Sequence, residues 1–431
     1  MSADRAADWL APGGALRTIL AGVTPLGTEE RPLLDALGGV LAEDVPSPVD
    51  LPPWDNSAMD GFAARAGDVR GASPSAPRVL RVVDDVPAGH FASRPVGPGE
   101  AIRIMTGAPV PEGADCVVRV EHTDGGRAIG TAEGTVSIVS DADAGRNVRP
   151  RGEDVRTGDV VLRAGTVLRA GELAVAAAVG RARLPVVRRP VVGVLASGDE
   201  LVPVEAFDEV RAGRRIVSTN SYALAAQLAE SGMEARVLGI ARDTPASLRE
   251  HVARAAGCDA LVTTAGISVG EHDHVIGALL AFRTEIDFWR VRIRPGSALA
   301  FGRVGGLGGI PWFGLPGNPV STMVTFELFV RPALLRMAGH ARVHAPVVDA
   351  VMRDAYSARG ELSHVPRVRL AREADGSVAA RLTGAQGSGV GTSMAAADGL
   401  ALVPAGTELR PGDPVRVTVL GGAPRVEDAP F

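Results

Sequence analysis

The stretch ALVTTAGISVGEHDH, residues 260–274, has the pattern of a buried strand that runs into a glycine-rich loop and then into a helix. Small or hydroxylated residues follow the strand at Thr264, Gly266, Ser268 and Gly270. Backbone N–H groups at such a helix start attract phosphate and other oxyanions. We therefore expect these four positions to bind an anionic group of a substrate.

Acidic and histidine residues close the same stretch. Glu271 and Asp273 fall in the predicted first helical turn, where acids either complement the helix dipole or bind a metal ion. His272 and His274 are two residues apart, so on a helix they point away from each other. We expect them to be solvent-facing or supporting residues rather than zinc ligands.

The same strand-helix pattern occurs twice just upstream. VVGVLAS is followed by TNSYALAAQLAESG, and ARVLGIA by TPASLREHVARAAG. Three such units predict a doubly wound domain, a parallel sheet with helices on both faces, over residues 190–344. In such sheets ligands bind beyond the carboxyl ends of the strands, where loops and helix N-termini meet.

Chemically useful residues come after two of these predicted strands. Ser197, Gly198, Asp199 and Glu200 follow the first strand, and Asp243 follows the second. Carboxylates in this place can hold a divalent cation through oxygen. The simpler alternatives are a surface turn at the first position and a helix N-cap at the second.

Two further segments of the same domain suit anion binding. In DFWRVRIRPGSALAFG we predict a strand, a Pro-Gly turn and a second strand, with Arg290, Arg292 and Arg294 sharing one face. That stripe is either solvated or clamps an oxyanion through paired hydrogen bonds. GLPGNPVS, residues 314–321, predicts a rigid loop that ends at a helix N-terminus, a second candidate anion cradle.

The rest of the chain is richer in short strands. We predict helices over residues 14–23 and 32–41, then a β-rich region with RVLRVV, AIRIM, DCVVRVE and DVVLRAGTVL as strands. The last 90 or so residues contain VVDAVM, VRLARE, VAARL, GLALVPAG and PVRVTVLG, which favour a small β-barrel or sandwich. The fold class is therefore a multidomain α/β plus β protein.

Composition excludes several classes of protein. All 45 basic residues are Arg, and the net charge of −5 gives no excess of positive charge for nucleic-acid binding. Cys116 and Cys258 lie far apart without a metal-ligand pattern, so we expect two buried thiols. No apolar run is long enough for a membrane span, and the N-terminal sequence lacks a basic leader, so we expect a cytoplasmic protein without a membrane partner.

Together, six motifs resemble the molybdopterin molybdenumtransferase family, the MoeA-type proteins related to the C-terminal part of gephyrin. In family order over residues 52–321 they are PPWDNSAMDGFA, RIMTGAPVPEGAD, NVRPRGEDVRTGD, SGDEL, GISVGEHD and GLPGNPVS. The resemblance implies insertion of molybdate into adenylylated molybdopterin, with Mg²⁺ as cofactor and release of AMP. It also implies a homodimer of elongated four-domain subunits, and it is compatible with contact to the molybdopterin adenylyltransferase.

Applied to this sequence, the resemblance suggests domain boundaries. They are residues 1–45 with 155–189 for an extended N-terminal helical domain that links and dimerises, 46–154 for an irregular β-rich domain, 190–344 for a MogA-like α/β domain that binds molybdopterin, and 345–431 for a C-terminal β-barrel.

Carried over by motif, the resemblance also implies the site residues. The catalytic set is Asp60, Thr106, Asp154, Glu200, Asp243, Asp273, Arg290 and Arg294, with Glu200, Asp243 and Asp273 as metal ligands. The substrate-binding set is Ser197, Gly198, Thr264, Gly266, Ser268, Gly270, Ser297, Pro316, Gly317, Asn318 and Pro319. In this family Asp60 and Thr106 act in trans, from the other subunit.

The sequence departs from the family pattern in two places. Ala265 stands where the family has the first of two glycines, and Ser297 stands where it has a lysine, with Arg292 and Arg367 as candidates to supply the missing charge. These departures keep open a gephyrin-like binding or scaffold protein with a degenerate site. A Mg²⁺-dependent phosphohydrolase is a further alternative.

Overall fold

The computed structural model describes residues 9–124, 134–265 and 274–421. The chain divides into two compact units, which we call the first unit and the second unit. The first unit comprises Met1–Glu43, Gly165–Arg169 and Arg183–Phe431, and the second comprises Asp44–Ala164 and Ala170–Ala182.

Up to residue 187 the structure consists mostly of short strands. They are β1 (Thr28–Pro32), β2 (Val45–Pro46), β3 (Asn56–Ser57), β4 (Gly61–Ala64), β5 (Arg78–Val86), β6 (Glu100–Ile104), β7 (Cys116–Arg119), β8 (Gly134–Ile138), β9 (Val148–Arg149), β10 (Val160–Leu162) and β11 (Arg183–Val187). The α-helices of this part are α1 (Pro12–Ala21), α2 (Ala66–Val69) and α3 (Ala170–Ala178).

Beyond residue 187 strands and helices alternate before strands take over again. The strands are β12 (Val191–Ser197), β13 (Leu201–Val202), β14 (Ile216–Val217), β15 (Glu234–Ala241), β16 (Ala260–Thr264), β17 (Thr284–Trp289), β18 (Ile293–Arg294), β19 (Ala300–Val304), β20 (Ile310–Leu315), β21 (Val347–Met352), β22 (Tyr356–Ser357), β23 (Ser363–His364), β24 (Arg367–Arg372), β25 (Val378–Leu382), β26 (Gly399–Leu402), β27 (Glu408–Leu409) and β28 (Pro414–Val419). The helices are α4 (Phe207–Arg211), α5 (Thr219–Glu230), α6 (Pro245–Ala253), α7 (His274–Ala281), α8 (Pro319–Thr325), α9 (Arg331–Met337) and α10 (Gly391–Ala395).

A six-stranded sheet in the order β15-β12-β16-β20-β19-β17 organises the first unit. The strands β15, β12, β16 and β20 are parallel neighbours, whereas β19 runs antiparallel to both β20 and β17. The sheet is therefore mixed rather than purely parallel. The reason is the short Pro-Gly connection after β18, which returns the chain in the opposite direction without a crossover helix.

Alternating residues of each strand divide the core into two layers. Ala260 and Val262 of β16 pack with Leu224 of α5 and Val324 of α8 on one face of the sheet. Leu261 faces the opposite layer, which contains apolar residues of α6 and α7. Because successive side chains of a strand point to opposite faces, both faces of the sheet are covered. The predicted doubly wound arrangement is confirmed.

The C-terminal strands form the predicted barrel. Its closed order is β21-β25-β24-β26-β28, and these strands contain the five segments that the sequence singled out. Closure pairs every strand edge, which removes the exposed edges that an open sheet of this size would leave. In the second unit, a five-stranded sheet in the order β7-β4-β6-β5-β8 accounts for the predicted β-rich region.

The N-terminal region differs from the expectation of two helices. The helix predicted over residues 14–23 is present as α1, but the one predicted over residues 32–41 is wrong. Thr28–Pro32 is strand β1, paired antiparallel with β11, and only the 3₁₀ turn Leu34–Ala36 follows it. Gly38 then adopts a left-handed conformation, which ends any helical continuation.

The structure also decides the state of the two cysteines. Cys116 and Cys258 are buried and unpaired, as predicted, and burial raises the pKa of both thiols. Among the residues that the structure describes, no helix has the length and apolar character needed to cross a membrane.

Candidate active site

Parallel strands of the first unit end beside a cavity of about 400 Å³. Ser197 is the last residue of β12 and Thr264 is the last residue of β16, and both line this cavity. The strand β12 has neighbours on both sides that come later in the chain, so the sheet order reverses there. Such a switch point is where open α/β sheets bind ligands. The topology therefore supports this cavity as the site.

Several predicted site residues meet in the cavity. Its wall includes Ser197, Glu200, Thr264, Gly317, Asn318 and Pro319. Ala265, one of the two departures from the family pattern, also lines it. Residues up to 122 positions apart in sequence thus come together, as the shared strand edge predicted.

Gly198 adopts a positive φ of 151°, and the carboxylate of Glu200 folds back over it. A Cβ at this glycine would lie 2.6 Å from the nearest carboxylate oxygen of Glu200, closer than atoms tolerate. Glycine is therefore needed for the acid to occupy this position.

Asp243 is not a helix cap. The hydroxyl of Thr244 caps α6 by accepting a hydrogen bond from Ser247 N–H at 3.3 Å. The Asp243 carboxylate instead accepts from Asp199 N–H at 3.2 Å, and Asp199 accepts from Asp243 N–H at 3.4 Å. This exchange holds the loops after β12 and β15 together, so the N-cap alternative for Asp243 is wrong.

Positive charge lies beside these acids. The guanidinium groups of Arg215 and Arg242 both donate hydrogen bonds to the backbone carbonyl of Asp199. Neither arginine was singled out by the sequence patterns. The loop after β12 thus presents carboxylates and guanidinium groups together, an arrangement that suits a polyanion bound with a cation.

The loop of residues 316–319, which we call the proline loop, is held by hydrogen bonds at another wall of the cavity. The buried hydroxyl of Thr322 donates to the carbonyl of Pro316 at 2.6 Å, with the carbonyl of Asn318 at 3.1 Å. The helix that begins at Pro319 continues through a π-helical stretch, Phe326–Val330, into α9. The predicted loop ending at a long helix is confirmed.

The three arginines predicted to share one face of a strand, Arg290, Arg292 and Arg294, do not lie on one continuous strand. The strand β17 ends at Trp289 because Arg290 adopts a left-handed φ of 84°. The guanidinium of Arg290 lies 5.1 Å from the ring centre of Trp9, a cation–π contact. Arg294 is exposed at the end of β18, and Ser297 accepts a hydrogen bond from Val291 N–H through its carbonyl.

Of the two candidates for the missing positive charge, Arg367 is fully buried. Its guanidinium donates to the carbonyls of Gln386 and Gly387 and to the hydroxyl of Ser393. Burial lowers the pKa of this arginine, with no carboxylate partner among its described contacts. Arg367 thus holds the barrel loop rather than lying open to solvent.

In the second unit the structure brings Asp60 and Thr106 together. Asp60 Oδ1 accepts hydrogen bonds from the backbone N–H of Thr106 at 2.7 Å and from its hydroxyl at 2.9 Å. These two bonds hold the pKa of the Asp60 carboxyl below its usual value. Asp154 lies exposed in a turn of the same unit, where its N–H donates to the carbonyl of Leu51.

Part of the predicted anion loop lies outside the described residues. This applies to Gly266, Ser268, Gly270 and Asp273, and also to Glu271, His272 and the side chain of His274. Among the residues that are described, no cluster of three or more acid, histidine or cysteine side chains is placed to hold a metal ion.

Sequence patterns missed one wall of the cavity. It consists of residues from β13, β14 and the start of α5, namely Leu201, Ile216, Val217, Ser218, Thr219 and Asn220. The polar run STN before a helical segment was the available signal, since helix starts in such domains face the ligand. The two-residue strands β13 and β14 are too short to give a periodic pattern.

Comparison with known proteins identifies the family to which this architecture belongs. The MoeA N-terminal region (domain I and II) matches residues 12–180, the probable molybdopterin binding domain matches residues 193–336, and the MoeA C-terminal region (domain IV) matches residues 349–420. A molybdopterin molybdenumtransferase of Nostoc sp. is 37% identical over 74% of this chain and 72% of its own length. The chain belongs to the molybdopterin molybdenumtransferase family.

Further members of the family agree with this assignment. Molybdopterin molybdenumtransferase 2 of Mycobacterium tuberculosis is 39% identical over 74% of this chain and 78% of its own length. The crystal structure of the molybdopterin biosynthesis moeA protein of Pyrococcus horikoshii aligns with a TM-score of 0.80 and 29% identity, covering 96% of this chain and 100% of that one. Like these family members, the chain functions in molybdenum cofactor biosynthesis. The cavity lies within the region that matches the probable molybdopterin binding domain.

Proposed function

We propose that this chain inserts molybdate into adenylylated molybdopterin and releases AMP, with Mg²⁺ assisting. The observation that carries the proposal is the cavity at the switch point of the sheet, which combines Glu200, four hydroxyl side chains and the proline loop. A substrate with a pyrophosphate needs anion-binding helix starts, whereas an oxyanion as second reactant needs its charge offset.

The donor set near the cavity fits Mg²⁺. This ion prefers oxygen ligands and usually binds through one or two carboxylates together with substrate phosphates and water. Glu200 and Asp243 supply carboxylates on adjacent loops, and Asp273 is proposed as a third ligand. Bound there, Mg²⁺ would reduce the repulsion between the pyrophosphate and molybdate.

The protein's own residues would then orient the two reactants. At the start of α8, Pro319 has no N–H group and the N–H of Val320 donates to the carbonyl of Ser388. We therefore expect the hydroxyl groups of Ser197 and Thr264, at the ends of β12 and β16, to face the anionic part of the substrate. Arg294 is exposed at the end of β18, and there it would bind the incoming oxyanion. Arg290 would need to leave the ring of Trp9 before it could bind the oxyanion, so we assign it a smaller role in that binding than Arg294.

The test of this function is a reaction with purified components. Wild-type protein with Mg²⁺, molybdate and adenylylated molybdopterin should release AMP, and omission of molybdate should abolish the release. Glu200→Gln keeps the size of the side chain but loses its charge, so it should reduce the release of AMP to near background. Release of AMP that is independent of molybdate would overturn the proposal in favour of simple phosphohydrolase chemistry.

The scaffold alternative makes a different prediction in cells. If the site were degenerate, Asp273→Ala would leave the cellular role of the protein intact. We expect instead that this variant fails to restore molybdoenzyme activity in a strain that lacks the endogenous transferase. The same strain would reveal whether the chain needs contact with the molybdopterin adenylyltransferase, since co-purification of the two proteins can be measured there.

A further inference from the structure

Asn220, the second residue of α5, lines the cavity, and its side-chain amide is not used by the mechanism above. The residue is 8% exposed, and its Nδ2 donates a hydrogen bond to the carbonyl oxygen of Gly317 at 2.7 Å. A carbonyl oxygen only accepts hydrogen bonds, so this contact fixes which end of the amide is the NH₂ group. The Oδ1 acceptor must therefore point away from Gly317.

That acceptor is buried and has no hydrogen-bond partner among the described residues. Burying an acceptor without a donor is unfavourable, so native proteins rarely leave one unpaired. Asn220 is also part of the cavity wall. An acceptor held in fixed orientation in a ligand cavity is suited to receive a hydrogen bond from the ligand itself.

The neighbouring wall indicates the chemistry of that ligand. Leu201, Ile216 and Val217 give this side of the cavity an aliphatic surface, whereas Glu200, Ser197 and Thr264 make the remainder polar. A flat ring with an N–H group at its edge complements a wall that combines an aliphatic surface with hydrogen-bond acceptors, here Asn220 and the hydroxyl groups of Ser218 and Thr219. A pterin ring has this combination, and its anionic substituents would extend toward the polar part.

We propose that Asn220 is a substrate-binding residue whose Oδ1 accepts a hydrogen bond from an N–H group on the pyrimidine edge of the pterin. Its Nδ2 at the same time holds the proline loop through Gly317, so one side chain couples recognition of the ring to the position of that loop. The proposal rests on the proposed function, because it assigns the ring of that substrate to this wall.

The same helix offers a matched control. Gln227 of α5 is also a buried amide, with Nε2 donating to Glu327 at 2.9 Å and Oε1 without a partner among the described residues. It is not among the described residues that line the cavity. A purely structural effect of removing a buried amide from α5 should therefore appear in Gln227→Ala as well as in Asn220→Ala.

The experiment measures binding of 6-hydroxymethylpterin to the full chain by quenching of pterin fluorescence, alongside molybdate-dependent release of AMP. Asn220→Ala should weaken pterin binding roughly three- to tenfold, the loss expected for one hydrogen bond between uncharged groups. Gln227→Ala should bind the pterin as the wild type does, even if its melting temperature falls.

A second probe keeps the test independent of whether Asn220→Ala folds. The ring of 1,3-dimethyllumazine resembles a pterin but has no N–H group on its pyrimidine edge. Wild-type protein should bind 6-hydroxymethylpterin more tightly than this analogue, and Asn220→Ala should reduce that preference. Equal binding of both probes by the wild type would overturn the proposal.

The outcomes separate this inference from the proposed function. If the wild type releases AMP and Asn220→Ala binds the pterin unchanged, the role of Asn220 is wrong and the function stands. If binding depends on Asn220 and no AMP is released with molybdate, the inference stands and the proposed reaction is wrong. Equal weakening in Asn220→Ala and Gln227→Ala would reduce Asn220 to a structural role.

Discussion

Ala265 lines the cavity in a backbone conformation that alanine rarely adopts. Its φ is +68°, and its Cβ lies 3.3 Å from the position that a Cβ on Gly317 would occupy. The left-handed region costs a residue with a Cβ about 1–2 kcal/mol, and glycine avoids this cost. The family pattern of glycine at this position therefore has a direct steric explanation, and this chain retains the conformation with a methyl group added.

Replacing Ala265 by glycine should stabilise the protein. We expect Ala265→Gly to raise the free energy of unfolding by about 1 kcal/mol, because relief of the left-handed strain exceeds the extra flexibility of glycine in the unfolded chain. Urea-induced unfolding measures the change. Ala212→Gly is the matched control, since Ala212 is exposed with an ordinary φ of −79° and should lose stability. Destabilisation by both changes would contradict the strain argument.

The hydrogen bonds to the Asp60 carboxylate allow a prediction about the pKa of that group. Thr106→Val removes the hydroxyl donor but keeps the backbone donor, so the pKa of Asp60 should rise toward its usual value without reaching it. A lowered folded-state pKa stabilises the folded form above the ordinary Asp pKa, and this contribution is lost as pH falls through the lowered value. The variant should therefore lose this stabilisation at a higher pH than the wild type.

Carboxyl ¹³C chemical shifts of Asp60 followed against pH give the measurement. Thr106→Ser keeps a hydroxyl and should leave the titration near that of the wild type. An identical titration in the valine variant would show that the hydroxyl bond does not contribute.

At the scale of elements, a buried hydroxyl group links the proline loop to the helix that follows it. Thr322 is fully buried, and its hydroxyl holds the carbonyl of Pro316 across the start of α8. Thr322→Val keeps the shape but leaves that carbonyl without its donor, which should cost about 1–3 kcal/mol of unfolding free energy. The loop should also become less well ordered, raising KM for the pterin substrate.

Thr322→Ser serves as the comparison for that change. It keeps the hydroxyl and loses one methyl group, worth about 0.8 kcal/mol when buried. Urea unfolding measures the free energy of unfolding of both variants, and steady-state kinetics measures their KM. A serine variant with a higher KM than the valine variant would show that packing, rather than the hydrogen bond, positions the loop.

Elements with strong local patterns were predictable from the sequence. The barrel segments, the helix α1 and the strand-helix units of the sheet were predicted at nearly the observed places, because alternation and helical periodicity mark buried faces. The failures occurred where a distant partner decides the local structure. Strand β1 exists because it pairs with β11, about 150 residues later, and its sequence TEERP has no strand pattern.

At the scale of the whole molecule, we make a prediction about how two subunits share a site. We propose a homodimer in which Asp60 and Thr106 of one subunit complete the site around Glu200 of the other. Asp60→Asn and Glu200→Gln should each be inactive as homodimers. After subunit exchange, half of the dimers would be mixed and each would contain one intact site, restoring about a quarter of the wild-type AMP release.

This restoration distinguishes a shared site from a site within one chain. If all the residues acted within one subunit, no molecule in the mixture would have an intact site and activity would stay absent. Native mass spectrometry should confirm that mixed dimers form, with each variant incubated alone as the control. Inactive mixtures that contain mixed dimers would overturn the shared site.

The sequence by itself determined the order of the main elements and the family. The six motifs, the strand-helix alternation and the barrel strands are local patterns, and each depends on residues within a few positions of one another. The acids after β12 and β15 were also predictable as neighbours, since parallel strands end at a common edge. The four-domain boundaries, which were inferred from the resemblance, remain a prediction.

Only the tertiary structure decided which side chains shape the cavity. Asn220 meets Gly317 across 97 positions of sequence, and Ala265, in its left-handed conformation, donates its N–H to the carbonyl of Leu315. Hydrogen-bond orientation and burial depend on partners that are distant in sequence and close only after folding. No local pattern encodes such pairs, which is why the cavity wall that contains Asn220 was not predicted from the sequence.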